Sequence, residues 1–341
     1  MTQTPLPSGK LRYDLLEDIL SRLTCTDPRV TVGPRVGEDA AVIDIGDRYL
    51  IATTDPITFT AENIGYYAIN VNANDIAVHG ARPRWFMATI LLPMGDATES
   101  TVREIFESIE QAMRPLGVSL IGGHTEVTDS VNTPVVSGLM LGEVEKDHLV
   151  TTRGCRPGDL IFLTKGVPIE GTAIIAAEKE AELITCGVAP DEIQRGKDFL
   201  FDPGISVVTD ALLAARTATV TSMHDPTEGG LAAGLNEVAL AADVSMVVVR
   251  DAIPIYPEGG RFCGLFDIDP LMTISSGSLL FTAPTSERKR LEEAFSDEGI
   301  HLSIIGWVEE SSKERVYIED QSGDRTPLPY RERDEILKLF E

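Results

Sequence analysis

The chain has 341 residues, of which 43% are hydrophobic and 24% are charged. This is the composition of an ordinary globular protein, and the length allows two domains. Its 54 acidic residues outnumber 29 basic ones, which gives a formal net charge of −25. Because so acidic a chain repels phosphate backbones and anionic bilayers, we expect no nucleic-acid partner and no membrane partner.

The cysteines and the first residues indicate the compartment. The four cysteines are Cys25, Cys155, Cys186 and Cys263, and they show no C-x-x-C spacing. In a chain of this size they are typical of reduced thiols in an intracellular protein. The start lacks the apolar run of a signal peptide, and no stretch approaches the roughly 18–20 apolar residues of a spanning helix. The sequence therefore predicts a cytoplasmic protein.

In chain order, strand and helix patterns alternate through the first half. After a loop at 5–10, apolar residues at helical spacing between Leu15 and Leu23 predict a first helix. The further predicted elements of this half are strands at 40–45, 49–53, 85–92, 118–121 and 135–141, and helices at 65–80 and 99–116.

A second half with the same mixture follows a segment rich in chain breakers at 152–159. We place the domain boundary there, which gives an N-terminal domain at 1–152 and a C-terminal domain at 153–341. Interspersed strands and helices in both halves predict an α/β or α+β fold with two domains. The predicted elements are helices at 171–181, 203–216, 229–242 and 286–297, and strands at 160–164, 246–249, 278–282, 304–308 and 315–318.

Asp75 lies on a helix that is apolar on most sides. No Lys, Arg or Glu occurs between Gly65 and Ala81, and Asp75 shares the one narrow polar face with Asn72 and His79. A carboxylate on a helix buried this completely must be paired, hydrogen-bonded or bound to a metal. Asp75 is therefore a candidate ligand rather than a surface charge.

Asp39 and Asp55 stand at the ends of two predicted strands. Asp39 opens the strand in Gly37–Val42, and Asp55 closes an apolar strand immediately before Pro56. Because proline cannot donate to a strand ladder and restricts the preceding residue to extended conformations, the Asp55 carboxylate stands at the strand exit. Taken alone, each is better explained as a turn aspartate that bonds to its own backbone.

Asp225 precedes a predicted helix whose first turn contains Gly229 and Gly230. Asp225 or Thr227 could act as the N-cap of this helix. Two glycines in a first turn are costly unless a ligand or another backbone comes close. A helix N-terminus also attracts phosphate, so this turn is a second candidate part of a site.

A second glycine pair, Gly122–Gly123, directly follows a predicted strand. Its backbone N–H groups could cradle a phosphate, although an ordinary β-turn fits the pattern as well. The adjacent His124 has no Cys or His partner at ligand spacing, which argues against zinc.

The sequence motifs that usually identify a nucleotide-binding loop or a catalytic nucleophile are missing. No G-x-x-x-x-G-K-[ST] loop, no G-x-G-x-x-G turn after a strand and no G-x-S-x-G elbow occurs. Carboxylates scattered along the chain offer only oxygen ligands, which favour a hard cation. Mg²⁺ that bridges substrate phosphates is the usual case.

Together these motifs resemble the superfamily of aminoimidazole ribonucleotide (AIR) synthetase, also called PurM-like. This superfamily includes selenophosphate synthetase, thiamine-monophosphate kinase and the hydrogenase-maturation protein HypE, and the HypE branch is the one that the chain resembles most. The resemblance runs over nearly the whole chain, from Gly9 to about Val308. Its most specific segments are Gly37–Val42, Thr53–Pro56, Val71–Pro83, Gly122–Glu126 and His224–Leu231.

The resemblance implies two α/β domains and a homodimer whose N-terminal domains form a barrel-like core, with ATP at the domain and subunit junctions. It implies Mg²⁺ held by carboxylates rather than catalytic nucleophiles, and it identifies no catalytic residue. The implied metal ligands are Asp39, Asp55, Asp75 and Asp225. The implied nucleotide-binding residues are Lys10, Thr54, Asn74, Gly122, Gly123, His124 and Thr125.

The implied reaction is ATP-dependent activation of an amide- or thioamide-type oxygen, which depends mainly on positioning and charge neutralisation. One departure concerns the acceptor. HypE acts on a group carried by a cysteine in its own C-terminal tail, whereas residues 331–341 contain no cysteine. The acceptor is therefore expected on a small molecule or a partner protein, and hydrogenase or other metallocofactor maturation is one context for it.

Two alternatives stay open. One is a small-molecule kinase or cyclo-ligase, which belongs to the same superfamily. The other is a non-catalytic protein that binds ATP as a scaffold or sensor.

Overall fold

The computed structural model describes residues 6, 9–35, 37–58, 62–328 and 333–340. Half of the predicted loop at 5–10, namely residues 5, 7 and 8, lies outside these residues. Within the described residues, no helix combines the length and the apolar character needed to cross a membrane.

The first half forms a six-stranded sheet with helices packed on it. The strand order is β1-β2-β3-β6-β4-β5, and only the β4–β5 pair is parallel. The strands are β1 Val30–Val32, β2 Ala41–Asp44, β3 Arg48–Ile57, β4 Arg82–Pro93, β5 Ser119–Thr128 and β6 Val135–Glu145. The helices are α1 Tyr13–Leu20, α2 Ile64–Ala77 and α3 Glu99–Leu116.

The second half forms a seven-stranded sheet. The strand order is β13-β12-β9-β11-β7-β10-β8, and only the β9–β12 pair is parallel. The strands are β7 Asp159–Thr164, β8 Ser222–His224, β9 Ser245–Val249, β10 Leu280–Pro284, β11 Leu302–Glu309, β12 Val316–Glu319 and β13 Arg325–Pro327. The helices are α4 Ile169–Glu178, α5 Glu180–Thr185, α6 Pro190–Asp198, α7 Val208–Thr217, α8 Gly230–Ala242, α9 Pro257–Leu265 and α10 Arg288–Asp297.

One hydrophobic core extends through both halves. It contains Ile69 and Ile76 of α2, Leu213 of α7 and Phe295 of α10, all buried. A second core lies under α8, and a third joins α4, α6 and α9. The two sheets are therefore packed into one body, although the predicted boundary after residue 152 stays a prediction.

The two-domain α/β class predicted from the sequence is confirmed, and so are most of the predicted elements. The helix predicted at 203–216 begins later, at Val208, because a π-helical turn occupies Leu200–Gly204. The strand predicted at 118–121 continues to Thr128, so Gly122 and Gly123 lie inside β5 and not in a turn after it. Parallel pairing with β4 extends this strand past a bulge at Ile121.

Candidate functional site

The four predicted metal ligands converge at the junction of the two halves. Asp75 lies on α2, Asp55 near the end of β3, Asp39 just before β2 and Asp225 just after β8. Burial first, and then the charges of Asp55, Asp225 and Asp39, raise the pKa of Asp75 well above its ordinary value. Carboxylates 150 residues and more apart in the chain are thus close enough to repel one another.

Asp55 and Asp75 hydrogen-bond each other, and Thr53 makes further contacts within the cluster. Its hydroxyl donates to Asp75 Oδ2 at 2.7 Å and lies 3.1 Å from the Asp39 carbonyl oxygen. Because side chains alternate along a strand, Thr53 and Asp55 of β3 face α2 together. Burial also raises the pKa of Asp55, although the ammonium of Lys10 opposes the shift.

Asp225 is the most deeply buried of the four, with 1% of its surface exposed. Burial first, and then the charge of Asp39, raise its pKa well above the ordinary value. Its Oδ2 atom has no hydrogen-bond partner among the described residues. Nor does any Lys or Arg in the described part of the chain form a salt bridge with Asp55, Asp75 or Asp225.

This donor set fits a hard divalent cation. Several buried carboxyl oxygens that repel one another, one of them without a hydrogen-bond partner, are the ligands that Mg²⁺ accepts. A bound cation would lower the pKa values that burial and mutual repulsion raise. These carboxylates could therefore hold a metal ion, and that role stays a prediction.

Two asparagines of α2 hold this helix in place. Asn72 accepts from the Asp55 backbone N–H at 3.0 Å and so ties α2 to β3. Asn74 donates to the Ile205 carbonyl at 2.9 Å and accepts from the Val207 N–H at 2.8 Å. Asn74 also hydrogen-bonds Asp225 and thereby favours its ionised form. The structure therefore places Asn74 at the cluster, as a link between the halves.

His224 forms a bridge behind the aspartates. Its Nδ1 lies 2.8 Å from Asp39 Oδ2, and its Nε2 lies 2.7 Å from Glu237 Oε2. Burial opposes the charged ring, but the two carboxylates outweigh it and raise the His224 pKa well above its ordinary value. Burial likewise opposes ionisation of Glu237, yet the bond from His224 lowers its pKa to about 2. Tyr13 of α1 donates to the other oxygen of Glu237.

Lys10 of the N-terminal arm reaches the same region. Its Nζ lies 3.1 Å from Thr227 Oγ1 and 3.0 Å from Glu228 Oε2. Burial opposes its charge, but Glu228, Glu237 and Asp55 together raise the Lys10 pKa above its ordinary value. With 41% of its side chain exposed, Lys10 is the accessible cation beside the cluster.

The N-terminus of α8 has a different role from the one expected. The backbone N–H of Gly229 donates to Asp334 Oδ2 at 2.6 Å, so a carboxylate of this chain occupies that donor. Gly230 has φ +62°, and a Cβ there would lie 2.5 Å from the Thr273 carbonyl oxygen. The close approach of another backbone, and not a ligand, therefore explains this glycine.

Other predicted nucleotide-binding residues lie away from the aspartates. Thr54 points to the opposite face of β3 and donates to the Gly138 carbonyl at 2.7 Å. Gly122, Gly123, His124 and Thr125 are exposed on β5, the edge strand, and β6 and β4 separate them from β3. Within one chain they do not join the cluster, and their role stays a prediction.

Sequence reasoning missed the residues that support the cluster. His224 and Glu237 were given no role, although Glu237 is the one charged residue of the apolar helix α8. Glu170 is likewise a lone buried carboxyl in the first turns of α4. The argument that identified Asp75, a carboxylate on an apolar helix, could have found both.

Curated relatives resemble the chain over nearly its full length. A putative hydrogenase expression/formation protein of Methanocaldococcus jannaschii is 28% identical over 93% of each chain. The carbamoyl dehydratase HypE of Cupriavidus necator is 29% identical over 85% of this chain and 82% of its own. The thiamine-monophosphate kinase of Bacillus subtilis is 26% identical over 90% of this chain and 94% of its own.

Solved structures share the fold. The structure of a HypE–HypF complex matches with a TM-score of 0.74 at 21% identity, over 93% of this chain and 99% of the other. The hydrogenase maturation protein HypE in complex with ATP matches with a TM-score of 0.68 at 22% identity, over 92% of each chain.

Two family models cover most of the sequence. The N-terminal domain of AIR synthase-related proteins matches residues 37–144, and the C-terminal domain of the same proteins matches residues 156–319. The first match contains Asp39, Asp55 and Asp75, and the second contains Asp225. The chain that gathers these four carboxylates belongs to the AIR synthase-related family of enzymes.

Proposed function

We propose that this protein is an ATP- and Mg²⁺-dependent enzyme that activates an amide- or thioamide-type oxygen by phosphoryl transfer, as a HypE-like enzyme would. The observation that carries the proposal is the convergence of four carboxylates, three of which (Asp55, Asp75 and Asp225) form no salt bridge with a lysine or arginine among the described residues. Such a cluster is destabilising unless a cation binds it. The HypE structure with ATP, which shares the fold, supports a nucleotide as the second component.

Asp39, Asp55, Asp75 and Asp225 would hold the Mg²⁺, which when bound neutralises charge on the nucleotide phosphates. His224 fixes the Asp39 carboxylate by a bond of 2.8 Å. Lys10, which lies beside Thr227 and Glu228, would supply a mobile positive charge to a phosphate. These groups would position the nucleotide and neutralise the charge of its phosphates, and phosphoryl transfer depends chiefly on such effects.

The proposed reaction balances without a redox partner. The amide oxygen forms a bond to the γ-phosphorus of ATP while the bond from that phosphorus to the bridging oxygen breaks, and ADP leaves with the electron pair. If the acceptor is a primary amide, loss of its N–H protons and of phosphate leaves a nitrile. The net change is one amide and one ATP to one nitrile, one ADP and one phosphate.

We place the acceptor on a separate small molecule or partner protein. Cys263, the last cysteine of the sequence, is buried and its thiol pKa is raised to about 12 by burial, which makes it a poor carrier. The relatives named for hydrogenase formation and for carbamoyl dehydration point to a cytoplasmic metallocofactor maturation step as the first context to examine.

A kinase is the second candidate, because the thiamine-monophosphate kinase relative matches over 90% of this chain. Product stoichiometry separates the two. A kinase yields ADP and a phosphorylated product, whereas dehydration or cyclisation yields ADP and free phosphate. A scaffold that binds ATP would release neither product with any acceptor.

The proposal is tested with Asp75→Asn. Loss of one buried metal-binding carboxylate should weaken Mg·ATP binding by about 30-fold or more, since such truncations cost about 2–5 kcal/mol. Isothermal titration calorimetry measures the affinity, and circular dichroism checks the fold. Asp297→Asn, at the exposed end of α10, is the matched control and should bind normally. Unchanged affinity in a folded Asp75→Asn protein would remove the cluster from the nucleotide site.

A further inference from the structure

Lys165 is a buried cation to which the proposed chemistry gives no role. It directly follows β7, its side chain is 13% exposed, and its backbone has φ +57°. A residue with a Cβ keeps this left-handed conformation only where its surroundings hold it there. Burial lowers the pKa of Lys165, and the Asp210 carboxylate, 3.6 Å from Nζ, opposes this shift. Because burying an ammonium group is costly, its contacts should show what it holds in place.

The ammonium group of Lys165 fastens two loops of the second half. Its Nζ donates to the Ser206 carbonyl at 2.7 Å and to the Gly277 carbonyl at 2.8 Å. Ser206 lies between the π-helical turn and α7, and Gly277 lies before β10. The backbone N–H of Lys165 donates to the His301 carbonyl at 2.8 Å, which fixes the residue itself. Lys165 therefore holds the short segment 205–207 to the rest of the second half.

Asn74 of the first half holds the same segment. Its Nδ2 donates to the Ile205 carbonyl at 2.9 Å, and its Oδ1 accepts from the Val207 N–H at 2.8 Å. The residue between these two contacts is Ser206, whose carbonyl accepts from Lys165. One side chain from each half thus binds three consecutive residues.

These contacts determine which atom Asn74 presents to Asp225. The amide nitrogen has two N–H groups, and the Ile205 carbonyl uses one of them. The other serves the hydrogen bond that favours the ionised form of Asp225. If the segment shifted, the amide would lose the two contacts that fix its orientation. Its oxygen could then turn toward the carboxylate and repel it.

The charge of Lys165 is not what reaches the aspartates. Its salt bridge is with Asp210, and the charged groups that act most strongly on Asp225 are Asp39, His224 and Asp55. We propose that Lys165 is a positioning residue for the candidate metal site, and that it acts through the Ser206 backbone and the Asn74 amide. This inference rests on the proposed function, because it concerns a cation held by the aspartates.

The test measures binding of Mg²⁺ with a non-hydrolysable ATP analogue to the full chain by isothermal titration calorimetry, and Tm by calorimetric unfolding. Lys165→Met removes the donors but leaves Asp210 buried without its counter-ion, so its Tm should fall. Lys165→Met/Asp210→Asn removes both charges, and the new amide can still accept from the Thr164 hydroxyl. This double variant should recover most of the lost Tm. It should nevertheless bind the Mg-nucleotide at least tenfold more weakly, since tenfold is about 1.4 kcal/mol and the scale of one hydrogen bond to a charged group.

Asp210→Asn alone is the matched control. It disturbs the same buried ion pair but leaves the contacts of Lys165 with the Ser206 and Gly277 carbonyls in place. We expect a lower Tm and normal affinity for the Mg-nucleotide. A merely structural role for Lys165 predicts instead that affinity follows Tm across all the variants. Normal affinity in the folded double variant, or an equal loss of affinity in Asp210→Asn, would overturn the positioning role.

A combination with Asn74→Ala tests the route. Because this variant lacks the amide through which Lys165 is proposed to act, adding Lys165→Met/Asp210→Asn should weaken Mg-nucleotide binding little further. Losses of affinity that simply add would show that Lys165 acts independently of Asn74, contrary to the proposal. Absence of Mg-nucleotide binding by the unmodified chain would overturn the proposed function, and the positioning role with it. Equal binding by the unmodified chain and the double variant would overturn the positioning role alone.

Discussion

At the scale of single residues, the site depends on a few buried charged side chains that neutralise one another. His224 lies between Asp39 and Glu237, and both of its ring nitrogens are used. Burying an ion is costly, so each member of this bridge stabilises the fold only while the others are present. Removing one leaves an uncompensated charge in the interior.

His224→Ala should therefore lower the free energy of unfolding by about 3 kcal/mol, because Glu237 would stay buried without its main partner. Urea denaturation followed by circular dichroism measures this change. His301→Ala, at an exposed histidine, should change stability little. Equal free energies of unfolding for the two variants would show that the His224 bridge does not stabilise the fold.

Glu170 gives a pH dependence of known sign. Its ordinary pKa is 4.5 and burial raises it to about 7, so between these values the folded state holds a proton that the unfolded state has lost. Its contribution to stability therefore falls as pH rises through this window, by at most about 1.4 kcal/mol per pH unit.

Glu170→Gln should gain stability relative to the unmodified chain between pH 5 and pH 7.5, since the variant has no proton to lose. Chemical denaturation at both pH values measures the difference. Glu178→Gln, exposed on the same helix, should show no such gain. If the stability difference between Glu170→Gln and the unmodified chain did not change with pH, the Glu170 carboxyl would titrate with its ordinary pKa.

At the scale of elements, α8 depends on how closely its first turn approaches another backbone. Gly229 and Gly230 both have positive φ, and Gly230 packs against the Thr273 carbonyl. The C-terminal segment contributes Asp334, which caps this turn. The turn is thus built from three separate parts of the chain, and it follows Asp225 by only a few residues.

Gly230→Ala should destabilise the protein by about 3 kcal/mol, because a Cβ would meet the Thr273 carbonyl and the left-handed backbone would be strained. Gly264→Ala in α9 is the matched control. A Cβ there would meet nothing within 4 Å, so this substitution should be neutral or stabilise by about 0.5–1 kcal/mol. Differential scanning calorimetry compares the two, and similar Tm values would contradict the packing argument.

The sequence predicted α2 and the burial of Asp75 because helical spacing is a local pattern. The four aspartates were chosen on a family resemblance and lie close enough to affect one another's pKa, but their role as metal ligands stays a prediction. The His224–Asp39 contact joins residues 185 apart in the chain, and no local pattern carries such a pairing. The length of β5 was missed for the same reason, because the strand exists through its pairing with β4 and not through its own composition.

At the scale of the whole molecule, one edge of the first sheet is unpaired in the single chain. Nine of the ten residues of β5 are exposed, including Leu120, Ile121 and Val127. Unprotected apolar edge strands pair readily with another chain. We propose that β5 forms the homodimer contact that the family resemblance implies.

Ile121→Glu should therefore convert a dimer into a monomer, because a charge would be buried without a partner at the contact. Sedimentation velocity measures the state. Ile184→Glu on α5 is the matched control, since Ile121 and Ile184 are each 52% exposed. A dimer that survives Ile121→Glu, or a monomeric unmodified chain, would place the contact elsewhere or remove it.

The two amide contacts of Asn74 have a consequence for how the halves communicate. One short side chain touches Asp225, a carboxylate of the proposed metal site, and also fastens the segment that leads into α7. Any sliding of one half against the other must disturb that amide, and any ion that draws Asp225 toward itself must disturb it too. If a cation binds there as proposed, its affinity and the spacing between the halves form a single linked equilibrium, in which each biases the other by the same free energy.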